Sequence, residues 1–219
     1  MDLFEQIVEA TVAGDQDRCV SLAQEVVSQG IDAFEAIEEG YSKGMSIVGE
    51  KFAQMEYFLP QLLTCADAMK AALEVLKAHL GKDLEGRTQG IVVLGTIQGD
   101  IHDLGKNIIK TMMQASGFVV HDIGCDVPVR QFIDKAEEVG ADIIAASAIL
   151  TTTMAYMPDL AGLLNEMGIR DDYIIMVGGA PVTPDYAIRA GADGYGENAS
   201  EAVEVAKRLM MEKRKGGSQ

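Results

Sequence analysis

The stretch GIVVLGTIQGDIHDLGKN, residues 90–107, decides how the second half of this chain folds. Its four consecutive apolar residues at 91–94 predict a buried β-strand, and a helical pattern occupies residues 104–116. Residues 99–103, with the sequence Gly-Asp-Ile-His-Asp, lie between the two segments. A buried strand that passes through a polar loop into a helix is the first half of a β-α-β unit, so the stretch favours a parallel sheet.

The same alternation continues downstream. Further buried strands are predicted at residues 118–120, 143–146 and 173–177, with a short fifth strand at 192–194. The predicted helices between and after them lie near residues 128–139, 155–167, 184–190 and 198–213. Short strands that alternate with helices are typical of a parallel sheet covered on both faces, so we expect a five-stranded α/β domain.

Upstream of this stretch, residues 1–80 have a helical pattern throughout. Apolar side chains recur at helical spacing, Gly14 and Gly30 end two helices, and Asp15 and Asp32 are placed to cap the next ones. Four or five short helices joined by tight turns predict a small all-α bundle. The polar stretch at 80–89 is the expected linker, so the predicted domains are residues 1–85 and 86–219.

The chain is acidic: 34 Asp and Glu residues against 18 Lys and Arg give a formal net charge of −16. Residues 1–85 alone hold 16 acidic and 6 basic side chains. This balance argues against binding to nucleic acid or to an anionic membrane through a basic surface. There is no membrane-length apolar run, no signal-peptide pattern and no CxxC among the three cysteines, so we expect a cytoplasmic protein.

Three loops follow predicted strands at the carboxyl edge of the sheet, where open parallel sheets bind their ligands. They span residues 99–107, 147–153 and 178–183. Taken singly their signals are weak, because a lone histidine such as His102 is more often a surface residue and Asp100 fits an ordinary helix N-cap. Their convergence on one edge makes them a candidate site.

The motifs that these loops carry are, in chain order, Asp100-x-His102-x-x-Gly105, Ser147-x-Ile149 and Gly178-Gly179. Intervals of 41 and 28 residues separate them. The pattern resembles the signature of cobalamin-binding domains, D-x-H-x-x-G, S-x-L and G-G, with isoleucine where that family usually has leucine. The resemblance covers residues 88–213 and implies a flavodoxin-like (Rossmann-type) fold. It also implies bound cobalamin or a related corrinoid in the base-off form, with a histidine in place of the cofactor's own base below the cobalt.

The resemblance also gives each motif residue a role. It implies that His102 is the lower axial cobalt ligand, that Asp100 holds the other ring nitrogen of His102, and that Ser147 donates a hydrogen bond to the Asp100 carboxylate. The glycines leave a channel for the displaced nucleotide tail. The expected cofactor contacts are Gly99, Ile101, Asp103, Gly105, Ile149, Thr151, Gly178, Gly179 and Ala199.

In the helical half, residues 48–52 and 58–62 resemble the cap that precedes the cobalamin domain of methionine synthase and of methylotrophic corrinoid proteins. The resemblance implies that Phe52, Leu59 and Leu62 cover the upper face of the corrin. The alternative is that these three side chains are plain bundle core.

A helical cap followed by a cobalamin domain is similar to the stand-alone corrinoid proteins of methylotrophic methyltransferase systems. These systems use methanol, methylamines, betaines or methoxyaromatic compounds. The resemblance implies a methyl carrier: a substrate-specific methyltransferase methylates Co(I) to give methylcobalamin, a methyl-Co(III) species. A second methyltransferase then passes the methyl group to coenzyme M or tetrahydrofolate. A reductive activator belongs to such systems, and methylamine or quaternary-amine donors are favoured here.

Several other classes remain open. A cobalamin-dependent regulator would need a DNA-binding module, and the small subunit of a cobalamin-dependent isomerase usually lacks the Phe-Leu-Pro segment of residues 58–60. A receiver domain needs an aspartate where this chain has Ser147, and a flavin domain needs a hydroxyl-rich phosphate loop. A metal-dependent phosphohydrolase would use His102-Asp103, with His79 and His121 as an incomplete ligand set.

Overall fold

The computed structural model describes residues 2–77, 79 and 88–216. The chain divides into two compact units, Met1–Thr88 with Gln114–Gly117, and Gln89–Met113 with Phe118–Gln219. We call the first the helical unit and the second the sheet unit. The linker predicted at 80–89 lies mostly outside the described residues. The domain boundary predicted between residues 85 and 86 lies there too and stays a prediction.

The described part of the helical unit consists of helices joined by short turns. In chain order these are α1 (Leu3–Ala13), α2 (Gln16–Ser28), α3 (Ala33–Ala36), a π-helical turn (Ile37–Ser42), α4 (Lys43–Ala53) and α5 (Leu59–Lys77). The predicted end signals act as expected. Gly14 ends α1 with a left-handed φ of 67°, and the Asp15 carboxylate accepts a hydrogen bond from the backbone N–H of Arg18 (3.0 Å) to cap α2.

Helix α1 packs closely against the π-helical turn and α4. A Cβ atom at Gly40 would lie 2.7 Å from Cγ2 of Ile7, and one at Gly44 would lie 2.7 Å from Cβ of Thr11. Both partners are fully buried. These two glycines therefore allow an approach of the helix backbones that a larger residue would prevent.

The sheet unit contains five parallel strands in the order β2-β1-β3-β4-β5. The strands are β1 (Gly90–Thr96), β2 (Phe118–Asp122), β3 (Ile143–Ser147), β4 (Ile174–Gly178) and β5 (Gly194–Tyr195). The helices are α6 (Leu104–Ala115), α7 (Val129–Val139), α8 (Met157–Met167), α9 (Pro184–Arg189) and α10 (Ala199–Gly216). The five-stranded α/β prediction is confirmed, and the short fifth strand begins at Gly194 instead of residue 192.

The register of the central strands brings the three motif-bearing loops together. Thr96 at the end of β1 pairs with Ser147 at the end of β3, and Ser147 pairs with Gly178 at the end of β4. The chain leaves β1 towards β2 on one side, whereas β3 and β4 lie on the other. Such a reversal of strand order opens a crevice at the carboxyl edge, which is where doubly wound folds bind ligands.

Candidate functional site

Asp100 is the centre of the site. Its carboxylate is fully buried, and five hydrogen-bond donors surround it. Oδ1 accepts from the backbone N–H of His102 (3.0 Å) and from Nδ1 of its ring (2.7 Å). Oδ2 accepts from the backbone N–H groups of Ile149 (2.7 Å) and Leu150 (3.2 Å) and lies 3.2 Å from the hydroxyl of Thr153. The cluster compensates the cost of burying this charge.

These donors keep Asp100 ionised. Burial raises the pKa of the carboxyl group, but the hydrogen bonds from Ile149, His102 and Leu150 outweigh it and hold the pKa well below its usual range. The group is therefore a carboxylate at neutral pH, and a carboxylate can only accept hydrogen bonds.

The ionised carboxylate decides the protonation of the His102 ring. Because Oδ1 of Asp100 can only accept, Nδ1 of His102 must carry the proton in the 2.7 Å contact. In the neutral ring, Nε2 then holds the free lone pair. The side chain is 48% exposed, and no described residue is hydrogen-bonded to Nε2. The predicted Asp100–His102 contact is therefore present, and it leaves a half-exposed nitrogen able to bind a metal.

The predicted Asp100–Ser147 hydrogen bond is wrong in this structure. The Ser147 hydroxyl lies 3.3 Å from the Thr96 hydroxyl, and the Thr96 hydroxyl donates to the carbonyl oxygen of His102 (2.9 Å). Since the one proton of Thr96 is used there, Ser147 is the donor to Thr96. Thr153, not Ser147, supplies the hydroxyl near Asp100, because the loop after β3 folds back over the carboxylate. Ser147 thus acts on the backbone of the His102 loop, through Thr96.

Thr96 and Thr153 were missed in the sequence. Thr153 is buried while Thr151, the predicted cofactor contact, and Thr152 are exposed. The Thr153 hydroxyl also lies 2.9 Å from the carbonyl oxygen of Leu150, so its single proton serves one of two acceptors. A run of three threonines gave no signal of which one turns inward. Thr96 was detectable only as a polar residue ending an otherwise apolar strand.

A buried ion pair anchors the helix that follows His102. Lys106 on α6 is almost fully buried, and its Nζ lies 2.6 Å from Oδ1 of Asp122 at the end of β2. Lys110, one turn later, contacts the other oxygen of Asp122 (3.0 Å). Burial raises the pKa of the Asp122 carboxyl, but the bonds from Lys106 and the backbone of Gly124 bring it below its usual range. The first turns of α6 are therefore tied to the sheet by charge.

An apolar cavity lies beside the site, between the sheet and its covering helices. Its volume is about 30 Å³, with further space open to solvent, and Ser147 is the one residue with a hydroxyl group among those that line it. The lining residues are Leu94, Ile109, Met113, Ala145, Ala146, Ser147, Met176, Val177, Gly178, Gly196 and Ala202. This is the place where the sequence predicted a channel for a nucleotide tail.

The three motif glycines have different surroundings. Gly178 lines the cavity, and a Cβ there would meet the carbonyl oxygen of Gly196 at an ordinary 3.6 Å. At Gly105 a Cβ would enter open space. Gly179 is required by the backbone itself, because its φ is 122° and a Cβ would overlap the carbonyl oxygen of Ala148.

The remaining predicted contacts occupy three kinds of position. Gly99 and Asp103 are exposed on the His102 loop, and Ala199 is buried at the start of α10. Large apolar side chains near His102 are exposed, and these are Ile101 (77%), Leu104 (61%), Ile149 (40%) and Leu150 (40%). Exposed apolar residues clustered on adjoining loops are typical of a ligand-binding surface.

In the helical unit the three cap residues differ in burial. Phe52 and Leu59 are partly exposed and flank the strongly exposed Met55 and Phe58, whereas Leu62 is fully buried. Met55 and Phe58 therefore present apolar side chains to solvent in this segment, whereas Leu62 lies in the interior of the helical unit.

The available protein ligand, one histidine nitrogen, fits a metal whose other coordination positions are filled by a cofactor. Within residues 2–77, 79 and 88–216, no group of three His, Cys, Asp or Glu side chains is placed to hold a metal ion. His102 offers one nitrogen, oriented by Asp100, beside an apolar surface and an apolar cavity. A single protein ligand is sufficient when a macrocycle fills the remaining positions of the metal.

Comparison with known proteins gives two family matches, both described as B12 binding domain, at residues 90–204 and 3–77. Dimethylamine corrinoid protein 2 of Methanosarcina acetivorans is 44% identical and covers 97% of this chain and 98% of its own length. Trimethylamine corrinoid protein 1 of the same organism is 43% identical, with coverages of 96% and 98%. These matches favour the cobalamin interpretation over the receiver, flavin and phosphohydrolase alternatives.

A solved structure of similar fold is the methanol:cobalamin methyltransferase complex of Methanosarcina barkeri. The matching chain is 30% identical with a TM-score of 0.81, over 95% of this chain and 80% of that one. None of the described helices has the length and hydropathy needed to cross a membrane.

Proposed function

Because the chain belongs to the B12-binding family, as a relative of the methylamine corrinoid proteins, we propose that it carries a methyl group on a corrinoid between two methyltransferases. The observation that supports this best is the pair formed by the buried Asp100 carboxylate and the half-exposed His102 ring. When bound, the corrinoid supplies a cobalt centre that accepts a methyl group in its Co(I) state and releases it to a nucleophile.

Three features of the sheet unit would hold the cofactor, in the base-off, histidine-ligated form. Nε2 of His102 would be the lower axial ligand, and the apolar side chains of Ile101 and Ile149 would lie against the corrin ring. The nucleotide tail would enter at the apolar cavity that includes Met113 and Gly178, which would have to widen to admit it.

Asp100 does more than orient the ring. By accepting a hydrogen bond from Nδ1–H it keeps the lone pair on Nε2, which is the form of the ring that binds a metal.

For the helical unit we propose the cap role. Phe52 and Leu59 belong to an apolar surface segment, and such a surface would exclude water from the upper face of a corrin. Leu62, which is fully buried, would act by holding this segment in shape. The surface has to move away when a methyltransferase needs access to the cofactor.

The proposed partners are a substrate-specific methyltransferase, a second methyltransferase that uses coenzyme M or tetrahydrofolate, and a reductive activator, all in the cytoplasm. The relatives are named for dimethylamine and trimethylamine, and the similar structure belongs to a methanol system. That proteins named for three different methyl donors share this fold supports the proposal that the partner methyltransferase selects the donor. The higher identity to the amine proteins favours a methylated amine here.

The test is reconstitution with cobalamin followed by electron paramagnetic resonance of the Co(II) form, in protein labelled with ¹⁵N-histidine. We expect a base-off absorption spectrum and coupling to one histidine nitrogen, which His102→Ala should remove. The Co(I) form is then mixed with a substrate methyltransferase and dimethylamine, trimethylamine or methanol. Loss of the Co(I) absorption with one donor supports the carrier role, and loss with none of a panel of methyltransferases contradicts it.

A further inference from the structure

Asp126, in the loop between β2 and α7, has an unusual backbone conformation. Its φ is 53°, in the left-handed region, and among the described residues Met55 is the only other non-glycine residue with a positive φ. Aspartate tolerates this region better than most residues, but the conformation still costs free energy and persists where surrounding contacts require it.

The contacts that hold Asp126 all lead to the loop that carries His102. The backbone N–H of Asp126 donates to the carbonyl oxygen of Asp100 (2.8 Å). Its Oδ1 accepts from the backbone N–H of Gly99 (2.7 Å). One residue thus binds the peptide groups on both sides of the Gly99–Asp100 step, and the left-handed turn brings its amide and its carboxylate to the same loop.

Gly99 is confined on its other side as well. Its φ is 82°, and a Cβ there would lie 3.2 Å from Cγ2 of Thr153, the residue whose hydroxyl is near Asp100. The main chain of Asp100 is therefore held by Asp126, while its carboxylate is held by the amides of Ile149 and Leu150. With both its main chain and its carboxylate held, Asp100 presents Oδ1 to Nδ1 of the His102 ring from a fixed position.

We propose that Asp126 is a positioning residue that fixes the Asp100–His102 pair for axial ligation of the corrinoid. This inference rests on the proposed function. Without the Asp126 carboxylate, the Gly99 N–H loses its partner, and glycine then has more backbone conformations than any other residue. The Asp100–His102 loop would move, and a smaller fraction of the protein would hold His102 ready to bind cobalt.

A purely structural role predicts a different outcome. Asp126 is exposed and lies outside the apolar core. Substitution by glycine removes the carboxylate but keeps the left-handed backbone without strain, so the global stability should change little. Asp126→Asn keeps an oxygen that can accept the Gly99 N–H and removes the charge, so it is the matched control.

The experiment has one readout without cofactor and one with it. In the apo protein, amide hydrogen exchange at Gly99 is measured by NMR, and we expect it to be at least tenfold faster in Asp126→Gly and nearly unchanged in Asp126→Asn. In the loaded Co(II) protein with ¹⁵N-histidine, the histidine-coupled fraction should fall at least twofold in the glycine variant and recover in the asparagine variant. Urea denaturation checks that all three proteins are folded.

The outcomes separate this inference from the proposed function. If wild-type protein shows no histidine coupling, the assignment of His102 as the cobalt ligand fails, whatever Asp126 does. If wild-type protein shows the coupling and Asp126→Gly retains it in full, with unchanged exchange at Gly99, the positioning role is overturned. If both variants lose coupling equally, the charge and not the hydrogen bond is responsible, and the inference is again overturned.

Discussion

Replacement of Asp100 by asparagine should change which nitrogen of His102 carries the proton. The asparagine has one accepting oxygen and one donating NH₂ group in place of two accepting oxygens. The oxygen is best placed towards Ile149, Leu150 and Thr153, because three donors meet there and two meet on the other side. The NH₂ group then faces His102, whose Nδ1 must become the acceptor.

The size of the effect follows from the hydrogen bonds. If Nδ1 accepts, the proton lies on Nε2, and a protonated Nε2 has no lone pair for a metal. Restoring the ligating tautomer would mean giving up the new bond at Nδ1, which joins two neutral groups in place of the charge-assisted contact of 2.7 Å. A neutral hydrogen bond contributes about 0.5–1.5 kcal/mol. The histidine-ligated fraction should therefore be disfavoured by roughly 2- to 12-fold, at about 1.4 kcal/mol per factor of ten.

The assay reads the tautomer directly. The ¹⁵N chemical shifts of His102 in the apo protein distinguish a protonated Nδ1 from a protonated Nε2, and the Co(II) spectrum of the loaded protein reports ligation. Asp103→Asn removes the same charge next to His102 and leaves Asp100 in place, so it should retain the wild-type tautomer. If Asp100→Asn keeps the proton on Nδ1 and full histidine coupling, the argument that the carboxylate selects the tautomer is refuted.

Four further predictions concern the same edge of the sheet. Thr153→Val should lower the free energy of unfolding by about 1–2 kcal/mol, because a buried donor is lost, whereas exposed Thr152→Val should change it by less than about 0.5 kcal/mol in urea denaturation. Gly179→Ala should destabilise by about 2–5 kcal/mol through its positive φ and an overlap with a carbonyl oxygen. Gly105→Ala, where a Cβ meets open space, should stabilise the apo protein by about 0.5 kcal/mol, yet weaken corrinoid binding in titrations if the tail passes there. Because the folded-state pKa of Asp100 is lowered, its carboxylate contributes stability above the unfolded pKa of about 4, and this contribution is lost as pH falls. The stability difference between wild type and Asp100→Asn should therefore be constant from pH 5 to 7 and shrink below about pH 4; a difference that grows on acidification would contradict this.

The sequence predicted features that depend on neighbouring residues. The strands follow from apolar runs, and the contact between His102 and Asp100 spans two residues, so a local motif contains it. The donors at Ile149 and Thr153 are about fifty residues away along the chain. Their arrival depends on how the loop after β3 folds over the carboxylate, and hydrophobic periodicity carries no information about that.

The unexpected hydrogen-bond partner of Ser147 and the unforeseen π-helical turn have related causes. Ser147 ends β3 directly beside Thr96. Its hydroxyl is hydrogen-bonded to the Thr96 hydroxyl and therefore does not donate to Asp100. The π-helical turn at Ile37–Ser42 lies where Gly40 packs against Ile7 of another helix. Both are set by contacts between segments that are distant in sequence, and a single sequence shows the segments without the contacts.

The backbone amides that donate to Asp100 affect how freely the sequence can vary at positions 149 and 150. Two of its five donors are the main-chain N–H groups of Ile149 and Leu150, which every residue except proline possesses. Substitutions by residues other than proline at these two positions therefore keep both hydrogen bonds to the Asp100 carboxylate. They alter only the side chains that are exposed beside His102. The isoleucine that departs from the usual leucine at 149 is such a change. The side chains at positions 149 and 150 can therefore vary with the shape of the corrinoid or of the partner methyltransferases, while the hydrogen bonds to Asp100 stay the same.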